Sequence, residues 1–504
     1  MSVAVVGGGW AGLAAAVTLA DAGVIRAGGT VTLFEAAPTL GGRARAVSIP
    51  LAGRRVEVDN GQHLMLGAYR SCLEVITRVA GAESAVLQRH RMRLAGATGL
   101  SLAAAPLPAP LHLLGALARA RGLSVGDRFA MLRMMARLTL ARWRVPAGLT
   151  VAALLRRHRQ PVRLVEALWE PLCVGALNTG LEHACAQAFC AVLRDSLGAS
   201  ARASDFLLPH RTLSDVLPRP AERWLRAHGV TVHLQSPVRS IAAQDDHWWI
   251  DAGGRSQAVR DVIVALPPYA AARVLTAGAG AVPPGTGAVP TGTGATPTAT
   301  GAGATASSAA RTAAIAAAAA GLGGFTYERI ATVYVAWQAA HAPRLAPWWM
   351  LREDPAQHHY GQWIFDRGEG EGLRVASVVI SARGRAADLD DAALGHATAR
   401  QLVAQLGCRM PDDVRVIDEK RATFRCTPDR PRPAAAPLPG PGPRLLLAGD
   451  YLVDDYPATL ESAVRSGISA ARTWLDTRPW PDTRARRAPD GDAPAQVSQA
   501  TDSA

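Results

Sequence analysis

The amino-acid sequence predicts an α/β protein, in which a doubly wound, Rossmann-type nucleotide-binding domain is joined to a discontinuous α+β domain. Three observations support this prediction. An apolar strand at residues 3–6 runs into a glycine-rich turn at 7–12 and an alanine-rich helix. A second apolar strand follows at 31–34. Two further apolar strands, at 262–266 and 445–448, come hundreds of residues later, which indicates that the chain leaves this domain and returns to it.

Each glycine of the first turn has its own physical role. Gly7 permits a tight turn, Gly9 lets the backbone approach a pyrophosphate, and Gly12 lets the helix pack on the strand. The N-terminus of that helix offers unpaired N–H groups to the phosphate charge. Glu35, which ends the second strand, is placed to hydrogen-bond the ribose hydroxyls of an adenosine. The connection at 23–30 is longer than in a minimal unit, and we interpret it as a surface insertion.

Residues 36–45 narrow the choice of cofactor. They place Gly41, Gly42, Arg43 and Arg45 just after the ribose site, where backbone and guanidinium groups can meet phosphate oxygens. On these motifs the chain resembles the FAD-binding fold (GR2-type flavoproteins) shared by amine oxidases, carotenoid desaturases and GDP-dissociation inhibitors, whose second signature is this Gly-Gly-Arg segment. The resemblance implies FAD, and not a free nicotinamide nucleotide, as the cofactor.

The length, hydrophobic content and net charge limit the classes of protein to which this chain can belong. With 504 residues, 49% of them hydrophobic, the chain can bury a large core and is expected to contain two or three domains. The net charge of +13 comes from dispersed arginines, since Lys420 is the single lysine, and no basic stripe interleaved with aromatic residues accompanies it. We therefore expect no nucleic-acid partner and, at most, attraction to anionic lipid.

Cysteine spacing and hydropathy indicate the compartment. The six cysteines form no CxxC pair and no metal-like spacing with histidine, so we expect free thiols in a reducing cytosol and no metal. The sequence opens on the first strand without a basic, apolar leader pattern, so we expect no secretory signal, and no apolar stretch reaches the ~18 residues that span a bilayer. The expected location is cytoplasmic, soluble or peripheral on the inner face of the membrane.

A polar turn follows a predicted strand at 56–58. Its Asn60-Gly61 pair indicates a turn that leads toward the cofactor. In the FAD-binding fold that the chain resembles, the equivalent turn sits beside the isoalloxazine ring, which makes Asp59 and His63 candidates for polar chemistry near the flavin. The alternative is structural, with Asp59 capping the turn and His63 serving as a hydrogen-bonded core histidine.

Composition divides the remaining chain into segments. The expected FAD-binding domain comprises residues 1–89, 229–275 and 441–478, and the expected substrate domain comprises a helical region at 90–228 and a sheet at 325–440. The run 278–324, rich in Ala, Gly, Thr and Pro, has too little side-chain volume for a packed core and is expected to be flexible, with a local helix at 316–320. The charged tail 479–504 is expected to be disordered.

The helical region contains the candidate membrane contact. An apolar, proline-rich start at 105–111 precedes two stretches, 113–121 and 128–144, in which arginines at near-helical spacing lie opposite leucines and methionines. Such helices can lie on a membrane surface with their apolar face in the acyl boundary. The alternative is ordinary packing of amphipathic helices on the core. The membrane interpretation gains weight if the substrate is a lipid.

Several segments carry a closer resemblance. They lie at 59–63, 169–179, 206–209, 213–215 and 452–457. On them the chain resembles the hydroxysqualene dehydroxylase family, FAD-dependent enzymes of bacterial hopanoid biosynthesis. The resemblance implies that the hydroxyl of hydroxysqualene is removed reductively to give squalene, and that a separate electron donor restores the reduced flavin. We interpret His63 as the general acid of this reaction and Asp59 as the group that orients it.

The resemblance extends to further cofactor contacts. A predicted strand pair at 230–241 contains Val238, which matches a valine whose backbone meets the adenine in family members. Near the C-terminus, a buried strand ends in Gly449 and Asp450, and Asp450 is implied to contact the ribityl or pyrophosphate region. A helix that starts near Leu460 would stabilise negative charge at the N1/O2 edge of the flavin.

Three alternatives share the fold. A carotenoid-type desaturase would run the flavin in the oxidative direction on a similar polyene, and the segments 60–63 and 177–178 favour dehydroxylation over it. Amine oxidases commonly use a lysine near the flavin, whereas Lys420 lies in a polar stretch outside the flavin motifs. A lipid-binding module like the GDP-dissociation inhibitors would have lost the flavin contacts, which are present in this sequence.

Overall fold

The computed structural model describes residues 1–244, 246–279, 300–382, 386, 388–436 and 442–477. The strands are β1 (Ser2–Val6), β2 (Thr30–Phe34), β3 (Ala46–Leu51), β4 (Arg54–Asp59), β5 (Met65–Leu66), β6 (Leu87–His90), β7 (Arg93–Ala95), β8 (Ser101–Ala103), β9 (Phe206–Pro209), β10 (Thr231–His233), β11 (Val238–Ala243), β12 (Trp248–Ala252), β13 (Arg255–Val259), β14 (Asp261–Val264), β15 (Tyr327–Gln338), β16 (Trp348–Met350), β17 (Trp363–Gly370), β18 (Leu373–Ser381), β19 (Asp413–Phe424) and β20 (Leu445–Leu447). The helices are α1 (Trp10–Asp21), α2 (Arg70–Ala80), α3 (Leu111–Ala118), α4 (Val125–Leu140), α5 (Val151–Arg157), α6 (Val162–Leu164), α7 (Glu170–Leu177), α8 (Ala186–Ser196), α9 (Leu213–Val216), α10 (Pro218–Ala227), α11 (Pro268–Ala279), α12 (Thr300–Gly323), α13 (Asp391–Leu406) and α14 (Leu460–Asp476).

A five-stranded parallel sheet, in the order β10-β2-β1-β14-β20, forms the centre of the nucleotide-binding domain. Its strands come from three separated stretches of the chain. Near-continuous apolar residues in β1, β14 and β20 suit strands that are covered on both faces. Helices α1 and α14 pack so closely that a Cβ atom at Gly467 would lie 2.1 Å from the Ala11 carbonyl oxygen. The predicted Rossmann-type fold is confirmed.

The strand pair expected at 230–241 does not form. β10 adds to the edge of the parallel sheet beside β2, whereas β11 pairs antiparallel with β12 in a separate three-stranded sheet. The break falls at 234–237, where backbone hydrogen bonds tie the chain to Glu35 and Ala37. After β10, these bonds hold the chain against the segment that follows β2. The chain therefore continues past β10 and does not fold back to pair with it.

The second domain is built on an antiparallel sheet with strands in the order β16-β17-β18-β15-β19. β15 is buried on both faces over residues 331–337. One face packs against α13 through residues such as Val333 and Leu394. The other face carries Thr332 and Tyr334 toward the β3–β4 hairpin of the nucleotide-binding domain. This second face therefore joins the two domains.

The region expected to be helical is partly built of strands. Helices α3 to α10 occupy most of it, but β7 and β8 precede them, and β9 lies between α8 and α9 and pairs with both β5 and β6. α4 begins at a capping box made by Ser124 and Asp127, and a π-helical turn, Val165–Trp169, precedes α7. Of the described helices, none combines the length and the apolar character that crossing a membrane requires.

The second part of the alanine-rich run forms a packed helix, which corrects the expectation that the run has too little side-chain volume for packing. α12 lies against α11, and Ile315, Ala319 and Leu322 are buried in the main core. Small side chains let two helices approach closely, so a few larger residues suffice to bury one face. Residues 280–299 and the tail 479–504 lie outside the described part of the chain. All six cysteines are unpaired, as predicted.

Candidate active site

A cavity of about 1330 Å³ runs from the carboxyl ends of the parallel strands into the helical region. At one end it is lined by the glycine turn after β1 and by Glu35. At the other end, α3, α4, α7 and α8 supply aliphatic and aromatic side chains. Between these ends lie the turn at 60–63 and one face of the second-domain sheet. Cofactor motif, polar turn and apolar chamber thus share one continuous space.

The glycine turn is shaped so that a side chain would obstruct it. Gly7 has φ of +108°, and a Cβ atom there would lie 2.4 Å from the Ala265 carbonyl oxygen. A Cβ atom at Gly12 would lie 1.9 Å from the Gly7 carbonyl oxygen. Gly9, which precedes α1 and lines the cavity, faces the Cα atom of Gly42. The turn therefore leaves a backbone-lined recess at a helix N-terminus, which fits the pyrophosphate of the predicted FAD.

Glu35 lines the same end of the cavity, and its own backbone surroundings orient it. One carboxylate oxygen accepts the Gly8 N–H at 2.7 Å, and the other accepts the Ala37 N–H at 2.8 Å. Each oxygen retains a lone pair for a hydroxyl donor. This arrangement fits the predicted ribose contact.

Arg43 and Asp450, predicted separately, form an ion pair. The guanidinium lies 2.8 Å from the Asp450 carboxylate and also donates to the Ala422 carbonyl at 2.7 Å. Asp450 is buried and follows Gly449, whose N–H donates to Ser466. Both members of the pair line the cavity, so a cofactor at this position would meet a paired arginine and carboxylate.

Helix α14 begins at Leu460, as the sequence predicted. Thr459 and Ser462 form its capping box, and residues 458–460 line the cavity. Glu461 is buried in the first turn and accepts the N–H groups of Ser71 and Cys72, which fixes α14 to the start of α2. The positive end of the helix dipole is thereby held at the cavity wall.

Two cofactor candidates, Gly12 and Val238, are not part of the cavity wall; Gly12 packs α1 on the glycine turn, whereas Val238 lies on another element. It opens β11 and is partly buried against the core. The backbone just before it, at 235 and 236, is hydrogen-bonded to Ala37 and Glu35. The segment borders the adenosine end, and an adenine contact of Val238 stays a prediction.

His63 lines the cavity, and its tautomer follows from its hydrogen bond. Nδ1 donates to the Gly61 carbonyl at 2.8 Å, because a carbonyl oxygen can only accept, and Nε2 therefore carries the lone pair of the neutral ring. Burial lowers the pKa of His63, and the Arg43 charge lowers it further against the opposing hydrogen bond to Gly61. At neutral pH the ring is neutral and accepts at Nε2. To act as an acid it must first gain a proton.

Asp59 does not orient His63, and that prediction is wrong. Its buried carboxylate accepts the Leu213 N–H at 2.7 Å and pairs with Arg367 at 3.2 Å. Burial raises the pKa of Asp59 to about 6, although Arg367 and the Leu213 hydrogen bond act in the opposite direction. The structural alternative, in which Asp59 holds the turn, fits these contacts. Asp59 turns away from the cavity because Arg367 lies behind the turn.

Two cavity residues were not among the site residues predicted from the sequence. Tyr69 lies at the wall beside Thr459, and burial raises the pKa of its hydroxyl well above the usual tyrosine range. Asn178, in the αL conformation at the end of α7, donates to Thr423 at 2.8 Å and accepts the Ala382 N–H at 2.7 Å. The sequence around Asn178, with polar groups among apolar residues, was the one signal that could have marked it as a site residue. Tyr69 had no comparable signal beyond its place after the polar turn.

Comparison with known proteins gives a consistent result. The flavin containing amine oxidoreductase family matches residues 10–288 and 351–475. Hydroxysqualene dehydroxylase of Rhodopseudomonas palustris is 28% identical over 487 residues, which cover 93% of this chain and 97% of that protein. A probable zeta-carotene desaturase of Synechococcus elongatus is 25% identical, over 48% of this chain and 51% of its own length. A putrescine oxidase double mutant of known structure aligns with a TM-score of 0.63 at 15% identity, covering 94% of this chain and 99% of that one, which shows a common fold.

Proposed function

We propose, from the premise that this chain belongs to the flavin containing amine oxidoreductase family and is an FAD-dependent oxidoreductase, that it reductively removes the hydroxyl of hydroxysqualene to give squalene. Hydroxysqualene dehydroxylase of R. palustris, similar over nearly its whole length, supports this substrate. The single observation that carries the proposal is the continuity of the cavity, because one space contains the dinucleotide recess, a polar turn and a long apolar chamber.

The apolar chamber suits a triterpene. Its wall includes Leu117, Met135, Trp169, Phe206 and Phe365, drawn from helices and strands on several sides. At ~0.8 kcal/mol for each buried CH₂ group, transfer of a C30 chain from water supplies ample binding free energy. Specificity must therefore come from the length of the chamber and from the few polar groups that meet the hydroxyl.

The reaction consumes two protons and an electron pair: one proton leaves with the hydroxyl as water when the C–O bond breaks, and the other forms the new C–H bond together with the electron pair. Reduced FAD, when bound, supplies the electron pair. The protein must hold a proton at the hydroxyl and keep bulk water away from an allylic centre that becomes electron-deficient when the oxygen leaves. His63 Nε2, on the cavity wall, is the proposed site of that proton.

The acid role of His63 has a pH signature. Because burial lowers its pKa, the protonated ring is populated only below the ordinary histidine range, and the dehydroxylation rate should rise as pH falls. In His63→Gln this rise should be lost while FAD remains bound. An unchanged pH profile in His63→Gln would remove His63 from the reaction.

The second candidate is a carotenoid-type desaturase, which the similarity to the S. elongatus protein favours over about half of the chain. The same cavity could hold a polyene for oxidation. An amine oxidase is less well supported, since Lys420 is exposed on β19.

We further propose that the mouth of the chamber rests on a lipid surface. Among the described residues, most exposed large apolar side chains belong to α3, α4 and the segment before them. We call this set the apolar mouth: Leu107, Leu111, Leu114, Val125, Phe129, Leu132 and Leu140. Leu114, Leu132 and Leu140 also line the cavity, so the chamber reaches the surface there. Arg137 and Arg142, exposed at the end of the same helix, would meet anionic headgroups.

Vesicle flotation tests this surface. We expect the protein to float with phosphatidylglycerol-containing vesicles, and Val125→Asp with Phe129→Asp to abolish flotation without loss of FAD. Val162→Asp is the matched control, because Val162 is 73% exposed but lies outside the mouth. Flotation that survives the double substitution would contradict the proposal. A lipid-free dimer that the same substitutions dissociate would assign the mouth to self-association.

The function itself is tested anaerobically. The purified flavoprotein is reduced, hydroxysqualene is added, and flavin reoxidation is followed while the lipid is extracted. We expect one squalene for each flavin reoxidised. No reoxidation, with bleaching of the oxidised enzyme by phytoene instead, would assign the protein to the desaturases.

A further inference from the structure

The turn at 60–63 belongs to the nucleotide-binding domain, but the other domain holds it from behind. All four of its residues line the cavity. The side-chain oxygen of Gln62 accepts from Ser377 at 3.0 Å and from Arg367 at 3.3 Å, while its backbone N–H donates to Thr332 at 3.4 Å. These three partners lie on β18, β17 and β15 of the second-domain sheet. The middle of the cavity-facing turn is thus fixed across the domain boundary.

Arg367 bridges two points of the turn with one guanidinium. Nη1 donates to Gln62, and Nη2 lies 3.2 Å from the carboxylate of Asp59, which directly precedes the turn. The same nitrogen donates to the Arg211 carbonyl. Tyr334 adds a contact at 2.8 Å from its hydroxyl to the Asp59 carbonyl. The residue before the turn and the residue within it therefore share one planar cation.

The local structure of β17 aims Arg367 at this position. The β17–β18 register shifts between Asp366 and Glu369, and Gly368 has φ of +83°. A bulge of this kind redirects one side chain out of the regular alternation of a strand. Arg367 lies within it, its side chain 11% exposed.

We propose that Arg367 is a positioning residue, which sets the conformation of the turn that faces the flavin. A buried ion pair is by itself a weak source of stability, so stabilisation alone explains the arrangement poorly. The planar guanidinium can serve a carboxylate and an amide oxygen at once in fixed geometry, which a lysine ammonium cannot. The inference rests on the flavin family of the chain and not on its substrate.

The test compares Arg367→Met, Arg367→Lys and Ser377→Ala in the purified holoenzyme. The readouts are the visible spectrum and midpoint potential of the flavin, and hydrogen exchange of residues 60–66 in the apoprotein. All three variants should retain FAD, because the glycine recess is untouched. Both Arg367 variants should shift the flavin spectrum and potential, and amide exchange in the turn should become about tenfold faster. Ser377→Ala should shift them in the same direction by less.

Arg415→Met is the control. Arg415, on β19, also bridges a carboxylate and a carbonyl, lying 3.1 Å from Asp413 and donating to Pro50 at 3.0 Å, but it sits at the end of the β3–β4 hairpin opposite Asp59. It should leave the flavin spectrum and the exchange of residues 60–66 unchanged. A wild-type spectrum and exchange rate in Arg367→Lys would overturn the proposal, since charge pairing with Asp59 would then suffice.

If Arg367→Met does not fold, the other two variants decide. Ser377→Ala keeps the ion pair and removes only a donor to Gln62, so a wild-type flavin signature in both Ser377→Ala and Arg367→Lys would contradict the proposal. Hydroxysqualene is not used in any of these measurements. Failure of the proposed reaction would therefore leave this result standing, and the reverse also holds.

Discussion

The two ends of the cavity are built from different parts of the chain. The wall at the cofactor end is mainly backbone, joined by the Glu35 side chain: it consists of a glycine turn, two helix N-termini and carbonyls that leave no room for a Cβ atom. The chamber end is side chain, contributed by four helices and the second-domain sheet. A backbone site depends on a few residue identities, whereas a packed wall tolerates exchanges that conserve volume. Substitutions at the two ends should therefore separate cofactor binding from substrate selection.

The largest effect is expected at the backbone end. In Gly12→Ala the added Cβ atom would lie 1.9 Å from the Gly7 carbonyl oxygen, so α1 must move away from β1. We expect the purified protein to retain less than about a tenth of the wild-type flavin, the cost of overpacking being of order 1–3 kcal/mol. Gly180→Ala is the control, because nothing lies within 4 Å of its added Cβ atom. Full flavin content in Gly12→Ala would contradict the backbone account.

The next effect concerns the ion pair between the two ends. Arg43→Met leaves the Asp450 carboxylate buried without its cation, and FAD affinity should fall on the order of 100-fold, measured by flavin fluorescence. Adding Asp450→Asn removes the unpaired charge and should recover part of the loss. If the double variant binds no better than Arg43→Met, the pair does not act as a unit.

This contrast also explains what the sequence could predict. Gly7, Gly12, Glu35 and the start of α14 at Leu460 were predictable, because local backbone requirements are encoded by residues close together in the chain. Asp59 was misassigned because its partner, Arg367, lies 308 positions away and only the tertiary fold joins them.

Packing was the other source of error. The sequence of α12 gave no sign that Ile315 and Leu322 meet a partner helix, since α11 supplies the opposite surface. From the sequence, apolar stretches such as those that form α3 and α4 could predict that an apolar cavity exists, but not which residues line it. Its wall is assembled from residues far apart in sequence.

A moderate effect is expected at the chamber end. Gly175 lines the cavity on α7, with Trp363 3.5 Å from a Cβ atom placed there. Gly175→Leu should fill part of the chamber and lower kcat/KM for the triterpene at least about tenfold, with FAD content unchanged. Gly175→Ala, which adds only an ordinary van der Waals contact, should retain most activity. Loss of flavin in Gly175→Leu would mean that the two ends are not separable.

The smallest effect concerns the polar turn between the ends. Because burial raises the pKa of Asp59 to about 6, above that of the unfolded chain, the folded state binds the proton more tightly. Its contribution to stability is present at acid pH and is lost as pH rises through about 6. The thermal midpoint of the wild type, relative to Asp59→Asn, should therefore fall between pH 4.5 and pH 8. A constant difference across this range would contradict a buried carboxyl group with a raised pKa.

The central claim is that one cavity brings reduced FAD and an allylic alcohol together. The most direct test reduces the flavoprotein anaerobically in D₂O, adds hydroxysqualene and measures the mass of the extracted hydrocarbon. We predict squalene with one deuterium, at the carbon that carried the hydroxyl, in an amount equal to the flavin reoxidised. Unchanged alcohol, or squalene without deuterium, would contradict the claim.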